Sequence, residues 1–288
     1  MSGKAVELKD VYFKYNNFEL SDITFDIYEG EKLALVGANG SGKTTLLRLM
    51  VNLLQRSKGS IKVFGTEVKR KNEWKIRKQI GFLFQNPDDQ IFSPTVEEDI
   101  AFGPRNLKLT KSEITERVNW ALKAVRIEKY RLYSPSNLSW GQKKLVALAG
   151  ILAMNPKILF LDEPFANLDM IAVKELLEIL ESLRREQEMT ILFTTHNHFF
   201  IQFWADRMVV LKNGKIIYKG IPNKGLNLPE VKKAIGTWDS VLDIIYPNVK
   251  PEERPHIHLH VHPHFHDFNK SNANLQHNHK SINKFEHD

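Results

Sequence analysis

The stretch "GANGSGKT", residues 37–44, decides the fold of this chain. It follows the apolar run "KLALV", residues 32–36, and leads into "KTTLLRLMVNLL", residues 43–54, which has helical spacing. A glycine loop in this position binds phosphate, because glycines let backbone N–H groups turn inward and the helix presents its positive end to the anion. The pattern predicts an α/β fold of the P-loop NTPase type. The predicted phosphate-binding residues are Gly37, Ala38, Asn39, Gly40, Ser41, Gly42, Lys43, Thr44 and Thr45.

Two residues of this loop carry further chemistry. Lys43 can place a full charge near the β- and γ-phosphates, and the Thr44 hydroxyl can ligate Mg²⁺. The alternative is a glycine turn that binds nothing, but the strand before it and the helix after it are the context that phosphate binding requires. The loop alone does not separate kinases, GTPases, helicases and transporters.

A second candidate site follows the segment "ILFLDEP", residues 158–164. Its continuous apolar run is typical of a strand buried on both faces, and it ends in Asp162 and Glu163. A carboxylate at the carboxyl end of such a strand can hold Mg²⁺, and the next one can deprotonate an attacking water. We therefore assign Asp162 to magnesium and Glu163 as the catalytic base. An acidic strand-to-loop turn without function is the alternative.

Strand and helix patterns alternate along most of the chain. They predict a mostly parallel core sheet with an antiparallel β flank. A hairpin is predicted in "MVVLKNGKIIY", residues 208–218. A mostly helical subdomain interrupts the alternation at about 87–155, and capping-box patterns predict helix starts at Thr110 and Ser139. The predicted boundaries are 1–222 for the main, phosphate-binding domain, 223–247 for a short extension and 248–288 for a disordered tail.

Composition narrows the class of protein. The 288 residues carry a formal charge of +7 and include no cysteine, which excludes disulfides and thiolate metal sites. The longest apolar run, residues 145–154, is about half of the roughly 20 residues that a membrane-spanning helix needs. The basic charge leaves both nucleic acid and an anionic membrane surface open as partners.

Three further short segments and one glutamine carry a family resemblance. "LSWGQKK" at 138–144, "NLD" at 167–169, "TTH" at 194–196 and a glutamine at position 85 accompany the two sites described above. Together they resemble the ordered motif set of ATP-binding-cassette ATPases over residues 6 to about 220. The segment "GFLFQNPDDQIFSPTVEEDIAFGPRNL", residues 81–107, is similar to ATPase subunits of energy-coupling factor transporters, which import vitamins, nickel or cobalt. The likeness extends to their cobalt and nickel importer branch.

The resemblance implies ATP and Mg²⁺ as cofactors and gives several residues a role. Gln85 would lie by the magnesium and the attacking water and would report the nucleotide state to the helical subdomain. His196 would contact the γ-phosphate and the catalytic glutamate, unless it only caps the residues after a strand. Tyr15 would stack on adenine, with simple packing as the alternative.

The segment 138–144, here called the signature segment, implies a dimer. Ser139, Gly141 and Gln142 would close over ATP held by a second subunit, so each chain alone has half a site. Asp169 belongs to the same predicted nucleotide-binding set. Trp140 departs from the family's usual glycine, and Leu145 stands where an arginine is common. We expect an active enzyme, in which the bulk of Trp140 could slow closure.

The resemblance also implies a setting for the enzyme. The chain would be the ATP-hydrolysing subunit of a membrane importer, peripheral on the cytoplasmic face of the cell membrane. Its partners would be a second ATPase subunit, an integral membrane coupling subunit and a substrate-binding membrane subunit, with no nucleic acid. Phenylalanines of the segment 81–107 would partly line the groove for the membrane subunit, although core packing is favoured for most of them. They are Phe82, Phe84, Phe92 and Phe102.

The predicted tail bears on the transported substrate. The stretch "HIHLHVHPHFHD", residues 256–267, has a histidine at every second position, and residues 248–288 hold nine of the chain's 11 histidines. Neutral imidazole suits Ni²⁺ and Co²⁺, so we predict a nickel or cobalt importer. A tail without a metal role, a vitamin importer, and a soluble cassette ATPase acting on nucleic acid or ribosomes are the alternatives. The candidate Ni²⁺ or Co²⁺ ligands are His256, His258, His260, His262, His264 and His266.

Overall fold

Two β-sheets organise residues 3–236, the part of the chain that the computed structural model describes. The smaller sheet is antiparallel and has four strands. In order across this sheet, they are β2 (Phe18–Tyr28), β1 (Lys4–Tyr15), β4 (Lys58–Val63) and β5 (Thr66–Glu67). This sheet is the antiparallel flank that the sequence predicts.

The larger sheet has six strands, of which five are parallel. In order, they are β10 (Lys215–Gly220), β9 (Arg207–Lys212), β3 (Lys32–Val36), β8 (Thr190–Thr195), β7 (Ile158–Leu161) and β6 (Ile80–Leu83). Only β10, which forms the predicted hairpin with β9, runs antiparallel. The mostly parallel core sheet is confirmed.

Helices connect these strands. They are α1 (Lys43–Met50), α2 (Glu73–Gln79), α3 (Val96–Asn106), α4 (Lys111–Ala124), α5 (Trp140–Leu152), α6 (Met170–Gln187), α7 (His198–Phe203), α8 (Pro222–Gly225) and α9 (Pro229–Ile235). Three of them, α3 to α5, fall within the predicted helical subdomain. Within residues 3–236, no helix combines the length and apolarity needed to cross a membrane.

The larger sheet separates two apolar cores. In β7, Leu159 and Leu161 face a core shared with α3, α4, α5 and α6, whereas Ile158 and Phe160 face a core shared with the smaller sheet and α1. All four side chains are inaccessible to solvent. Because alternate side chains of a strand point to opposite faces, an uninterrupted apolar run is what burial on both faces requires.

Helix starts agree with the sequence better than helix ends. Thr110 and Ser139 cap α4 and α5 with reciprocal capping boxes, as predicted. The expected extension of α1 to Leu54 is wrong, because Asn52 adopts a left-handed conformation with φ 56° and ends the helix. The helix α5 likewise ends at Leu152, before Asn155 with the same conformation.

The C-terminal part of the described chain shares the first core. Val231 and Ala234 of α9 are buried in it, so the segment after the predicted boundary at residue 222 packs on the ATP-binding domain. The remainder of the predicted extension and the histidine-rich tail lie outside the described residues.

The prediction of core packing is wrong for two of the four phenylalanines in the segment 81–107. Phe92 is 64% exposed and Phe102 is 47% exposed. The carboxylate of the buried Asp99 accepts hydrogen bonds from the backbone N–H groups of Phe92 and Ser93, at 3.0 and 2.9 Å. These bonds fix the loop backbone while the Phe92 side chain remains outside. Phe82 is partly buried against the second core.

Candidate functional site

A cleft of about 380 Å³ opens at the carboxyl ends of the parallel strands. Ten of its eleven lining residues are predicted site residues, and the eleventh is Phe18. The lining residues are Phe18, Asn39, Gly40, Gly42, Lys43, Thr44, Thr45, Gln85, Asp162, Glu163 and His196. The structure thus brings together the phosphate loop, the residues after β7, and the polar residues that follow β6 and β8.

The phosphate loop has the geometry of an anion cradle. The residue before α1 is Gly42, with φ 107°, so no side chain competes for the N–H groups of the first helical turn. A Cβ at Gly42 would lie 2.7 Å from atoms of both Phe18 and Leu20. Only glycine fits there, and the helix N-terminus is left free for phosphate oxygens.

Lys43 supplies the cation of the cleft. Its Nζ donates to the carbonyl oxygens of Gly37 and Ala38, at 2.7 and 3.2 Å. Burial lowers the pKa of Lys43, while the charges of Glu163 and Asp162 oppose that shift. Both hydrogen-bond acceptors of the ammonium are neutral, so a phosphate oxygen would be a stronger partner for it.

Asp162 is held from two sides. The Thr44 hydroxyl donates to its Oδ2 at 2.7 Å, and the Thr194 hydroxyl donates to its Oδ1 at 2.7 Å. The Thr194 oxygen also accepts the backbone N–H of Glu163 at 2.7 Å. The hydroxyl therefore fixes the Asp162 carboxylate and the backbone of Glu163 at the same time.

Thr44 and Asp162 fit Mg²⁺. Their adjacent hydroxyl and carboxylate oxygens are the hard ligands that this ion prefers. Residues 3–236 contain no group of three or more His, Asp or Glu side chains arranged to hold a metal. Phosphate oxygens and water would have to complete the coordination, as in other sites where Mg²⁺ binds together with a nucleotide.

Glu163 stands at the mouth of the cleft in an unusual backbone conformation. Its φ is 47°, which a residue with a side chain seldom adopts and which costs conformational energy. The Oε1 atom lies 3.2 Å from Nδ1 of His196. The Glu163 side chain is 11% exposed and that of His196 is 69% exposed. The carboxylate is therefore oriented by a partner that solvent, or another molecule, can reach.

The predicted residues of the signature segment do not line this cleft. Ser139 caps α5 and pairs with Gln142, whose side-chain amide also donates to the Tyr130 hydroxyl at 2.8 Å. Asp169 caps α6 through the N–H of Ala172. Within one chain, these side chains hold helix ends. A role at the nucleotide of another subunit stays a prediction.

The two departures in the signature segment have different surroundings. The indole nitrogen of Trp140 is buried without a hydrogen-bond partner among the described residues, so it faces the chain's own interior. Leu145 is 6% exposed and belongs to the first apolar core. Whether Trp140 slows closure stays a prediction.

Sequence reasoning missed two residues of the site. Phe18 lines the cleft and lies directly across the β1–β2 hairpin from Tyr15, which is 66% exposed and does not line it. No sequence signal marks Phe18. Thr194 does have one, because it is a polar residue near the carboxyl end of a buried apolar strand, the same signal that identified Asp162.

Comparisons with known proteins show which proteins this chain is similar to. The family described as ABC transporter matches residues 20–166. The chain is 44% identical over 223 residues to the energy-coupling factor transporter ATP-binding protein EcfA of Methanocaldococcus jannaschii, covering 76% of this chain and 80% of the relative. It is 43% identical over 245 residues to EcfA1 of Ligilactobacillus salivarius, covering 80% of this chain and 86% of the relative.

Two solved structures are similar to the fold. One is cbiO1 from Clostridium perfringens, described as part of the ABC transporter complex cbiONQ, with a TM-score of 0.73 and 35% identity over 85% of this chain and 96% of the other. The second is a dimeric ATP-binding cassette in a post-hydrolysis state bound to ADP and Pi, with a TM-score of 0.67 and 28% identity, covering 75% of this chain and 98% of the other.

Replacing Thr194 by valine tests the hydroxyl that links Asp162 and Glu163. The loss leaves a buried carboxylate oxygen and a buried N–H unpaired, so we expect the free energy of unfolding to fall by about 1 to 3 kcal/mol. We also expect the Mg²⁺ concentration for half-maximal ATP hydrolysis to rise by about 10-fold, as for other residues that orient a metal ligand. Urea unfolding and a Mg²⁺ titration of the activity measure the two effects.

Thr190→Val is the matched control at the other end of β8. Thr190 is equally buried and accepts the N–H of Gly30 at 2.9 Å, far from the cleft. This variant should lose comparable stability and keep the parental Mg²⁺ dependence. Equal Mg²⁺ dependence of the two valine variants would contradict the assignment.

Proposed function

The chain belongs to the ABC transporter ATP-binding proteins of the energy-coupling factor type, and on that premise we propose that its cleft hydrolyses Mg–ATP with Glu163 as the base. The observation that carries the proposal is the grouping of Lys43, Thr44, Asp162, Glu163 and His196 around one cleft. Charge neutralisation, metal ligation and proton acceptance are the three tasks that phosphoryl transfer to water requires.

Each side chain has a task that its contacts support. Lys43 would exchange its carbonyl partners for phosphate oxygens, and Thr44 with Asp162 would hold Mg²⁺, whose charge would offset that of the phosphates. Glu163 accepts the proton of the attacking water. His196, 3.2 Å from the Glu163 carboxylate, orients it and contacts the γ-phosphate. Gln85, two residues after β6, lines the same cleft and would lie by the ion and the attacking water.

A second ATPase subunit completes the site. The cleft opens to solvent at His196, and Ser139 at the start of α5 is exposed on the same chain. In a two-fold dimer, the signature segment of each chain can cover the cleft of the other. The dimeric solved structure with ADP and Pi supports this arrangement. ATP then holds the two chains together, and its hydrolysis lets them separate.

An exposed apolar patch is suited to a membrane subunit. The patch comprises Phe92, Phe102, Leu132 and Tyr133, each at least 47% exposed. The rings of Phe92 and Phe102 form an edge-to-face contact, with centroids 4.7 Å apart. The backbone N–H of Val96 donates to the carbonyl oxygen of Tyr133 at 3.0 Å, so the two chain segments that carry these residues lie side by side. Contiguous exposed aromatic residues mark protein contact sites. We assign this patch to the integral coupling subunit, at the cytoplasmic face of the membrane.

The transported substrate is assigned from the tail. Nine of 11 histidines fall in residues 248–288, outside the described residues. Imidazole nitrogen favours Ni²⁺ and Co²⁺ over the ions of oxygen sites, and this supports a nickel or cobalt importer over a vitamin importer. The relatives named above are transporter subunits, so we do not propose an ATPase acting on nucleic acid or ribosomes.

Glu163→Gln is expected to abolish turnover but keep ATP binding. The amide fills the same space but cannot accept a proton, so the turnover rate should fall by more than about 100-fold. The variant should form an ATP-dependent dimer in size-exclusion chromatography. Glu188→Gln is the control, because Glu188 is exposed and has a similar φ of 52° outside the nucleotide cleft. Turnover of Glu163→Gln at the parental rate would rule out the catalytic assignment.

The double variant Phe92→Asp, Phe102→Asp tests the membrane-subunit patch. Loss of hot-spot aromatics typically costs about 2 kcal/mol or more, equivalent to about 30-fold in affinity. Pull-down from membranes should therefore recover much less of the integral membrane partner. Trp74→Ala is the control, since Trp74 is 55% exposed on α2, outside the patch. Equal recovery by both variants would place the docking surface elsewhere.

Calorimetry tests the metal assignment of the tail in the full chain. We expect micromolar or tighter binding of Ni²⁺ or Co²⁺ that is lost when the six alternating histidines, 256 to 266, are replaced by alanine. A variant that lacks only His277, His279 and His287 should retain most of the binding. Absence of heat with either ion in the full chain would end the metal assignment.

A further inference from the structure

One buried cation has no part in the site described above. Lys144, on α5 within the signature segment, is 1% exposed and is among the largest fully buried side chains of residues 3–236. It forms no ion pair within that range, unlike the buried Lys32, which pairs with Glu181 at 2.9 Å. All its hydrogen bonds go to backbone carbonyl oxygens. They are those of Pro164 at 2.9 Å, Ala166 at 3.3 Å and Glu163 at 3.5 Å.

These carbonyls belong to the connecting segment, residues 163–169, which joins β7 to α6. Glu163 and Asn167 in this segment adopt left-handed conformations, with φ 47° and 61°. Neither is glycine, and such conformations persist only where surrounding contacts hold them. The Lys144 ammonium donates to three of the four backbone carbonyls of residues 163–166, the stretch from the first of these residues up to the second.

A second contact joins α5 to the far end of the same region. A Cβ on Gly141 would lie 3.3 Å from the Cβ of Ala172 and 3.6 Å from Cδ2 of Leu168. The first turn of α5 is therefore packed closely against the end of the connecting segment and the start of α6. Gly141 and Lys144 are three residues apart, so one face of α5 contacts both ends of the segment.

Stability alone does not account for a lysine at this position. Burial lowers the pKa of Lys144 to about 8, against the weaker opposing effect of the Glu163 charge. A pKa below the ordinary value means that the folded chain disfavours the charged form, so the charge lowers the free energy of unfolding at neutral pH. An apolar side chain could fill the space without that cost. The lysine therefore supplies hydrogen bonds to the three carbonyl oxygens, which only a side chain with N–H donors can do.

We propose that Lys144 is a positioning residue for hydrolysis: its ammonium fixes the backbone of residues 163–166 and so aims the Glu163 carboxylate into the cleft. The proposal rests on the proposed function, in which Glu163 is the base. It also gives the signature segment a second task. Ser139, which is assigned to the ATP of the other subunit, caps α5, and Lys144 lies on the same helix. A movement of α5 when the two subunits close would therefore be passed through Lys144 to Glu163 of the same chain.

Lys144→Met tests this assignment in the full chain. The thioether side chain fills similar space without donors, so kcat should fall by about 10-fold or more, as for small displacements of a reacting group. The KM for ATP should stay within about 2-fold of the parental value, because no phosphate ligand is changed. Lys144→Gln retains two N–H donors on a slightly shorter side chain and should recover much of the lost kcat. Lys174→Met, on the exposed face of α6, is the control.

The outcomes separate this proposal from the proposed function. Parental kcat in Lys144→Met, or a Lys144→Gln variant no faster than Lys144→Met, would overturn the positioning role even if Glu163→Gln is inactive. Combined with Glu163→Gln, Lys144→Met should still allow the ATP-dependent dimer, because its role is limited to aiming Glu163. Loss of that dimer, with thermal unfolding unchanged, would instead assign Lys144 to ATP-driven closure and would also overturn the proposal.

Discussion

The alignment of three parallel strands is the constraint on which the site depends. Val36 of β3 pairs with Thr195 of β8, and Leu161 of β7 pairs with Phe193. This register brings Asp162 level with Thr194 and places both beside the phosphate loop that follows β3. A slip of one residue would turn every side chain of a strand to the opposite face of the sheet, and the hydrogen bonds from Thr44 and Thr194 to Asp162 would be lost. The apolar cores on both faces fix the register and therefore the site.

Around this fixed centre, the chain places strained or costly groups where chemistry needs them. Glu163 has a left-handed backbone, and Lys43 and Lys144 are cations buried among carbonyl oxygens. Each lowers stability on its own and is tolerated because neighbouring contacts determine its position. The carbonyl oxygens of the phosphate loop accept the hydrogen bonds of Lys43. The connecting segment satisfies Lys144, and this contact links the signature segment to Glu163.

We propose a different partner for each of two areas of the domain surface. The cleft is polar and opens beside His196, which suits closure by a second chain over a bound nucleotide. The apolar patch around Phe92 and Phe102 is continuous with α3, where the buried Asp99 holds the preceding loop. Gln85 lines the cleft and lies seven residues before Phe92, so it is the residue to which we assign the link between the nucleotide and the patch. This arrangement fits an enzyme whose output is a movement passed to another subunit.

The sequence by itself determined the fold class, the order of the elements and ten of the eleven residues around the cleft. Local patterns, the phosphate loop and the apolar strand ending in two carboxylates, identify eight of these residues, and capping boxes mark two helix starts. Gln85 and His196 were identified only through the family resemblance. Tertiary structure alone decided that Phe18 lines the cleft, that Thr194 joins Asp162 to Glu163, and that Phe92 and Phe102 face outward. It also decided that Lys144 is buried under the connecting segment. A polar residue near the end of an apolar strand marks Thr194 as a candidate, but its two partners are not marked. These outcomes depend on which distant segments meet in space, and the residues beside a side chain do not specify its neighbours across a sheet or between helices.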